Sequence, residues 1–382
     1  MTQTYFAPLL FDGEQWHEQQ VVTLSAGKVS QCETYNAREH GHLAKEELEG
    51  MLAPGFIDVQ VNGGGGVLFN HQPDTEGLRT IVDAHRAFGT VALMPTLITD
   101  DNTVMTAAHR AITQALSDQP VPGVVGVHYE GPYLNRLRKG VHDEEKIRQA
   151  DLPFLQPLLN IPASGRVMVT LAPELAPEDF IETLEQAGVL ICAGHTAATY
   201  AQAMTGFAKG IRGVTHLFNA MSPLTTREPG MAGAAMDAWE PWCGIIVDGH
   251  HIHPATLRIA AKAKGTEKLM LVTDAIHSVG MAENKLDFLG KTISIQNGLV
   301  TTADGTLAGS NLDMASAVRN ALAFGMGDNT AVLQMASRNP AHFLRLDNQL
   351  GYLKPGYRAS LVNLDENWQV RQTWIDGENR RH

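Results

Sequence analysis

Cysteine is scarce in this chain. There are three among 382 residues, Cys32, Cys192 and Cys243, and no C-x-x-C. That is too few for a disulfide framework, and it fits a reducing compartment. Positive charge is also in deficit: 29 Lys and Arg stand against 41 Asp and Glu, a formal net charge of −12. A non-specific nucleic-acid binder or a polybasic membrane binder would carry the opposite sign. A local basic pocket for an anionic metabolite stays compatible with it. No run of about 18 apolar residues occurs, so no segment reads as a membrane span. The first twenty residues lack the basic and apolar regions of a secretory signal, and a cytoplasmic location is expected. Internal repeats and low-complexity tracts are missing too. What remains is 44% hydrophobic and 18% charged, enough apolar material for a sizeable core and not the composition of a disordered chain.

The middle of the chain alternates between two textures. Eight short apolar, β-branched runs recur: APGFIDVQV, TVALMPTLI, GVVGVHYEG, RVMVTLAPE, GVLICAGH, GVTHLFNA, CGIIVDGH and KLMLVTDA. Strands buried on both faces look like this. Amphipathic stretches such as TEGLRTIVDAHRAFG and NTVMTAAHRAITQAL lie between them, several ending in a glycine that suits a helix C-terminus. Eight strand–helix units predict a (β/α)8 barrel. A doubly wound open sheet is the competitor, and the first strand lacks the G-x-G-x-x-G of its dinucleotide-binding version. The first fifty and last thirty residues read instead as short strands and turns. They are expected to meet in one small β domain, giving residues 1–52 and 348–382 to it and 53–347 to the barrel.

Polar residues gather where the apolar runs end: Asp58, Gln60 and Asn62, Thr96, Glu130, Glu174, His195, His216 with Asn219, Asp248 with His250 and His251, and Asp274. In a barrel these ends converge on one mouth, where active sites sit. Glu130, His195 and His216 offer one carboxylate and two imidazoles, a set that suits a divalent metal with room for water. Singly, each histidine also reads as a core residue or cap, and Glu130 as a buried turn carboxylate. Asp274 could move a proton, or cap a helix. Arg227, in a turn-rich loop, suits phosphate or carboxylate recognition, or plain solvation. His142 follows a Lys-Gly turn, and GTLAGSN (305–311) offers backbone donors or a plain loop.

Taken together, PGFIDVQVNG, HYEGPYLN, KGVH, LAPE, AGHTAAT, THLFNAM, REPGMAG, DGHH, LVTDA and GTLAGS, in this order, resemble the N-acetylglucosamine-6-phosphate deacetylase family of the amidohydrolase superfamily. The resemblance covers essentially the whole chain. It implies a distorted TIM barrel with a small β-sandwich built from both termini. It implies hydrolysis of the acetamide of N-acetylglucosamine 6-phosphate to glucosamine 6-phosphate and acetate, in amino-sugar catabolism. Glu130, His195 and His216 fall on the family's metal-ligand positions and Asp274 on its acid/base. Val141, His142, Asn219, Ala220, Arg227, Asp248, His251, Leu307, Ala308 and Gly309 fall with its substrate contacts. A homodimer is implied, with Arg227 reaching a neighbouring subunit's phosphate site.

One departure matters. Many members of the superfamily carry His-x-His after the first strand, and here Gln60-Val61-Asn62 stands there. Neutral amides are poor transition-metal ligands, so one metal per subunit is expected, zinc first, with iron(II), manganese or cobalt as alternatives. The same absence weighs against an amidohydrolase opening a cyclic amide. Retention of Asp274 weighs against a non-catalytic sugar-phosphate sensor.

Overall fold

A computed structural model describes residues 2–283, 285–288, 290–296, 298–303, 305 and 307–382. The chain begins with strands β1 (Gln3–Phe11), β2 (Trp16–Ser25) and β3 (Lys28–Thr34), joined as antiparallel neighbours, and returns through β4 (Met51–Pro54) parallel to β1. Gly55 separates β4 from the first barrel strand. Strands β5 (Phe56–Val61), β6 (Thr90–Ile98), β7 (Gly126–Glu130) and β8 (Arg166–Leu171) are followed by β9 (Leu190–Ala193), β10 (Gly213–Val214), β11 (Trp242–Ile246) and β12 (Leu269–Val272). All neighbours are parallel, and the hydrogen-bonded order is the chain order. A doubly wound sheet would break that order; this one closes.

Closure is made at the strand ends. Asp274 N–H donates to the Gln60 carbonyl at 3.0 Å and Asn62 N–H to the Ala275 carbonyl at 2.8 Å. Below them Asp58, fully buried, accepts from the Thr273 hydroxyl at 2.5 Å and from Gln60 N–H at 3.1 Å. Burial pushes the Asp58 carboxyl up to about 7, against the pull of those donors. The runs are almost wholly buried because helices cover their outer face. The helix Thr75–Arg86, capped by Asp74 on Gly77 N–H, buries Leu78, Ile81 and Val82, and Tyr200–Lys209 starts on a Thr199/Gln202 capping box.

Two features differ from the sequence reading. The run GVTHLFNA keeps strand geometry only at Gly213–Val214. Beyond it His216, Phe218 and Ala220 take positive φ, 34°, 76° and 47°, a series of tight turns that no strand accommodates. Between Asp274 and Gly309 lies an antiparallel sheet the sequence reading did not anticipate: β13 (Lys285–Phe288), β14 (Lys291–Gln296) and β15 (Leu299–Thr302). It buries Phe288, Ile293, Ile295 and Val300 against Leu68, Ile98, Ile276 and Ala308, which seats it beside the barrel mouth.

The C-terminal strands β16 (Leu361–Leu364), β17 (Val370–Ile375) and β18 (Glu378–Arg381) return to the first domain, β16 pairing antiparallel with β4. The result is one eight-stranded sheet with strands from both termini, as expected. Its core is shared: Tyr5, Leu10, Val22 and Leu24 pack with Leu361 and Trp374. Trp374, fully buried, donates its ring N–H to Tyr5 Oη at 3.0 Å, and the rings meet edge to face at 5.1 Å. The fold is a distorted TIM barrel with a small β-sandwich. Among the described residues no helix is long and apolar enough to cross a membrane.

Candidate active site

Glu130 ends β7, and His195 and His216 follow β9 and β10. All three are buried. His195 Nε2, His216 Nε2 and Glu130 Oε1 form a triangle with every side 3.0 Å. The backbone does the aiming: His195 and His216 have φ of 48° and 34°, a left-handed geometry that costs about 1 kcal/mol or more per residue and turns each ring into the mouth. The ring of His195 is locked as well. Its Nδ1 lies 2.9 Å from the Arg138 carbonyl, which can only accept, so Nδ1 carries the proton and Nε2 presents a lone pair.

That arrangement tests whether a cation fits. Lone pairs of His195 and Glu130 face each other at 3.0 Å. Burial alone would lower the proton affinity of His216, but its contact with Glu130 raises it. One proton there satisfies a single edge of the triangle. A divalent cation satisfies all three donors at once, and a His/His/carboxylate set is one that zinc and its neighbours accept. Burial opposes the charge on Glu130, yet the two imidazoles hold its carboxyl well below the ordinary range. The three are the one group of metal-capable side chains found among the described residues.

Asp274 sits beside this triangle, just past β12, with φ of 50°. Its Oδ1 accepts from Asn62 Nδ2 at 2.7 Å and from Gln60 Nε2 at 3.1 Å. Burial, then the charge of Glu130, raises its pKa. The same Gln60 Nε2 lies 3.3 and 3.4 Å from the two oxygens of Glu130. The two amides at the first strand therefore act as donors to carboxylates. Their role as donors is invisible to composition and spacing.

Two further histidines are held in defined forms. His142, buried, packs its ring 4.4 Å from that of His195. Thr99 flanks His142 Nδ1, with its backbone N–H at 3.3 Å and its hydroxyl at 2.8 Å. Burial and the neighbouring His195 keep His142 neutral, well below its ordinary pKa. His251 Nδ1 lies 2.6 Å from Asp248 Oδ2, and Asp248 also accepts the backbone N–H groups of His250 and His251. Burial works against the Asp248 charge, but His251 pulls its pKa down. His251 is close enough to favour the ionised form of Asp274.

The remaining expected residues are placed unevenly. Gly309 lies against Asp274 through the pair Ser310 N–H to Asp274 carbonyl, 3.1 Å, and a side chain at its φ of 68° would strike Ile276. Ala308 is buried under the added sheet and Leu307 bridges to Thr301; Thr306, in the same GTLAGS segment, lies outside the described residues. Val141 packs on that sheet and lines, with His142, Thr99, Phe288 and Thr302, a cavity of about 990 Å³. Asn219 and Ala220 are in the turn after His216, where Ala220 accepts Thr196 N–H at 3.1 Å. Arg227 is exposed on its loop and has no ion-pair partner among the described residues, so the structure does not join it to the triangle. Glu174 is a latch: it accepts from Asn135 Nδ2, the Thr196 hydroxyl and Ala197 N–H at 2.9, 2.5 and 2.7 Å.

The sequence reading gave no role to His128. It lies fully buried beneath the triangle, in a chain running from Thr96 (3.1 Å) through His128 to Thr170 (2.7 Å) and on to Thr215 (2.7 Å). Burial pushes its pKa down to about 4, so it stays neutral. A signal existed: His128 and Glu130 are two apart on one strand and so share its inward face.

A parallel barrel whose mouth holds a buried Glu/His/His donor set beside a buried aspartate defines a class, the metal-dependent hydrolase barrels. The amidohydrolase family description matches residues 51–380, and the chain belongs to that family. It is 44% identical over 334 residues to an N-acetylgalactosamine-6-phosphate deacetylase of Shewanella sp. (strain ANA-3), covering 86% of this chain and 83% of that one. It is 35% identical over 330 residues to an N-acetylglucosamine-6-phosphate deacetylase of Haemophilus influenzae, covering 86% of each. The crystal structure of N-acetylglucosamine-6-phosphate deacetylase from Pasteurella multocida superposes over 100% of both chains with a TM-score of 0.93 at 30% identity.

Proposed function

We propose that this enzyme hydrolyses the acetamide of an N-acetylhexosamine 6-phosphate, releasing acetate and the amino-sugar phosphate. The observation that carries the reading is the metal-fitting triangle set directly beside Asp274. N-acetylglucosamine 6-phosphate is the first substrate. Its 4-epimer, N-acetylgalactosamine 6-phosphate, is a second reading favoured by the identity to the Shewanella relative. One divalent cation, zinc first, is held by Glu130, His195 and His216. When bound it supplies Lewis acidity, polarising a carbonyl oxygen and lowering the pKa of water.

The chain's own residues do the rest. Asp274 Oδ2, which no described residue engages, takes a proton as a water oxygen bonds to the acetyl carbon. It returns that proton to the sugar nitrogen as the C–N bond breaks. His142, its ring packed against that of His195, is the residue placed to donate to the developing oxyanion. His251, braced by Asp248, borders the sugar. Val141, Leu307, Ala308 and Gly309 line it from the side of the added sheet. Arg227 with the turn at Asn219–Ala220 grips the phosphate, and such remote grip orients the amide for attack. Its exposure fits a homodimer in which Arg227 serves the neighbouring subunit. A cytoplasmic enzyme is the accompanying expectation. Acetate release from the two epimers, with kcat/KM for each, tests the reading: turnover of either supports it, and turnover of neither rejects the substrate class.

A further inference from the structure

We infer that Gln60 and Asn62 form an amide bracket that holds Glu130 and Asp274 in their working positions, with Gln60 a positioning residue for both. The inference rests on the hydrolysis proposed above. Two carboxylates flank one NH2 group: Gln60 Nε2 is 3.1 Å from Asp274 Oδ1 and 3.3 and 3.4 Å from the oxygens of Glu130. The reversed amide would set its oxygen against three carboxylate oxygens with no hydrogen between them, so the orientation is enforced. Gln60 is itself clamped. Its side chain is 1% exposed, its N–H donates to Asp58 and its carbonyl accepts from Asp274 N–H.

Asn62 Nδ2 adds a second donor, 2.7 Å from the same Asp274 Oδ1. With Oδ1 doubly engaged, Oδ2 is the oxygen left to handle the proton. Gln60 also stands between two carboxylates that would otherwise repel across the mouth. What reads in the sequence as lost ligands is in the structure a pair of aimed donors.

The two residues differ in a way that makes the idea testable. Gln60 touches both carboxylates and Asn62 only Asp274. Gln60→Met and Asn62→Leu are assayed with metal in excess, with folding checked by thermal melts and bound metal counted. In each, kcat is expected to fall about 10- to 100-fold while KM and metal content hold within about threefold. In the cobalt(II)-loaded proteins, the visible spectrum should change in Gln60→Met, through Glu130, and stay as wild type in Asn62→Leu. A kcat within threefold of wild type in Gln60→Met, or a loss that merely tracks lost metal, overturns the bracket. If wild type releases no acetate, the proposed substrate falls, and the cobalt spectra still judge the bracket: identical spectra in wild type and Gln60→Met sink it.

Discussion

Two sides of one barrel mouth hold carboxylates in opposite circumstances. At β7, β9 and β10, Glu130 meets the His195 lone pair at 3.0 Å, acceptor against acceptor, with His216 Nε2 at the same distance. At β5 and β12, Asp274 meets amide N–H groups at 2.7 and 3.1 Å, acceptor against donor. The first side gathers donor atoms that a cation would join; the second holds Asp274 Oδ1 by hydrogen bonds alone. Residue types alone do not draw this line, since both sides are polar, buried and at strand ends. The direction of each lone pair and each hydrogen draws it.

The largest expected effect breaks the first side. His216→Ala removes one corner of the triangle, and metal affinity should fall by more than about 100-fold, beyond what loss of a supporting group costs, measured by competition with a chelating dye. Unchanged affinity would take His216 out of the ligand set. Next comes the second side. Asp274→Asn keeps an oxygen for the donors of Gln60 and Asn62 but cannot accept a proton, so kcat should fall about 1,000-fold with metal content intact; near-normal turnover would end its acid/base role.

A smaller effect sharpens the contrast between chemistry and grip. Arg227→Ala should raise KM for the phosphorylated sugar about 10- to 100-fold and leave that for the unphosphorylated sugar unchanged. Equal shifts would remove the phosphate role. The smallest effect lies under the second side. Asp58 has a folded pKa raised to about 7, so the native state holds a proton there that the unfolded chain gives up near 4. The stability this proton contributes is full at low pH and is lost as pH rises through that window. Wild type should therefore lose melting temperature relative to Asp58→Asn between about pH 4 and pH 7, and parallel curves would show that Asp58 is ionised in the fold.

The same contrast shows what was legible. The eight barrel strands announce themselves as apolar runs because helices bury their outer face and the barrel interior buries the inner one. The triangle was readable because each of its residues ends such a run. The turn after Val214 was not readable as a turn: THLFNA is as apolar as a strand, and only the positive φ values reveal that it bends to aim His216. The sheet of residues 285–302 escaped because its residues are mostly polar, with only a few buried apolar ones to mark a face. Gln60 and Asn62 were noticed for what they cannot do as ligands. Their work as donors depends on contacts 70 and 214 residues away for Gln60 and 212 for Asn62.

The most direct test joins the two sides in one titration. Metal is stripped from the purified enzyme with a chelator and added back while acetate release from N-acetylglucosamine 6-phosphate and its 4-epimer is followed. Activity is expected to return in a straight line that breaks at one metal per chain. A break at two metals, or full activity in the stripped enzyme, would contradict it.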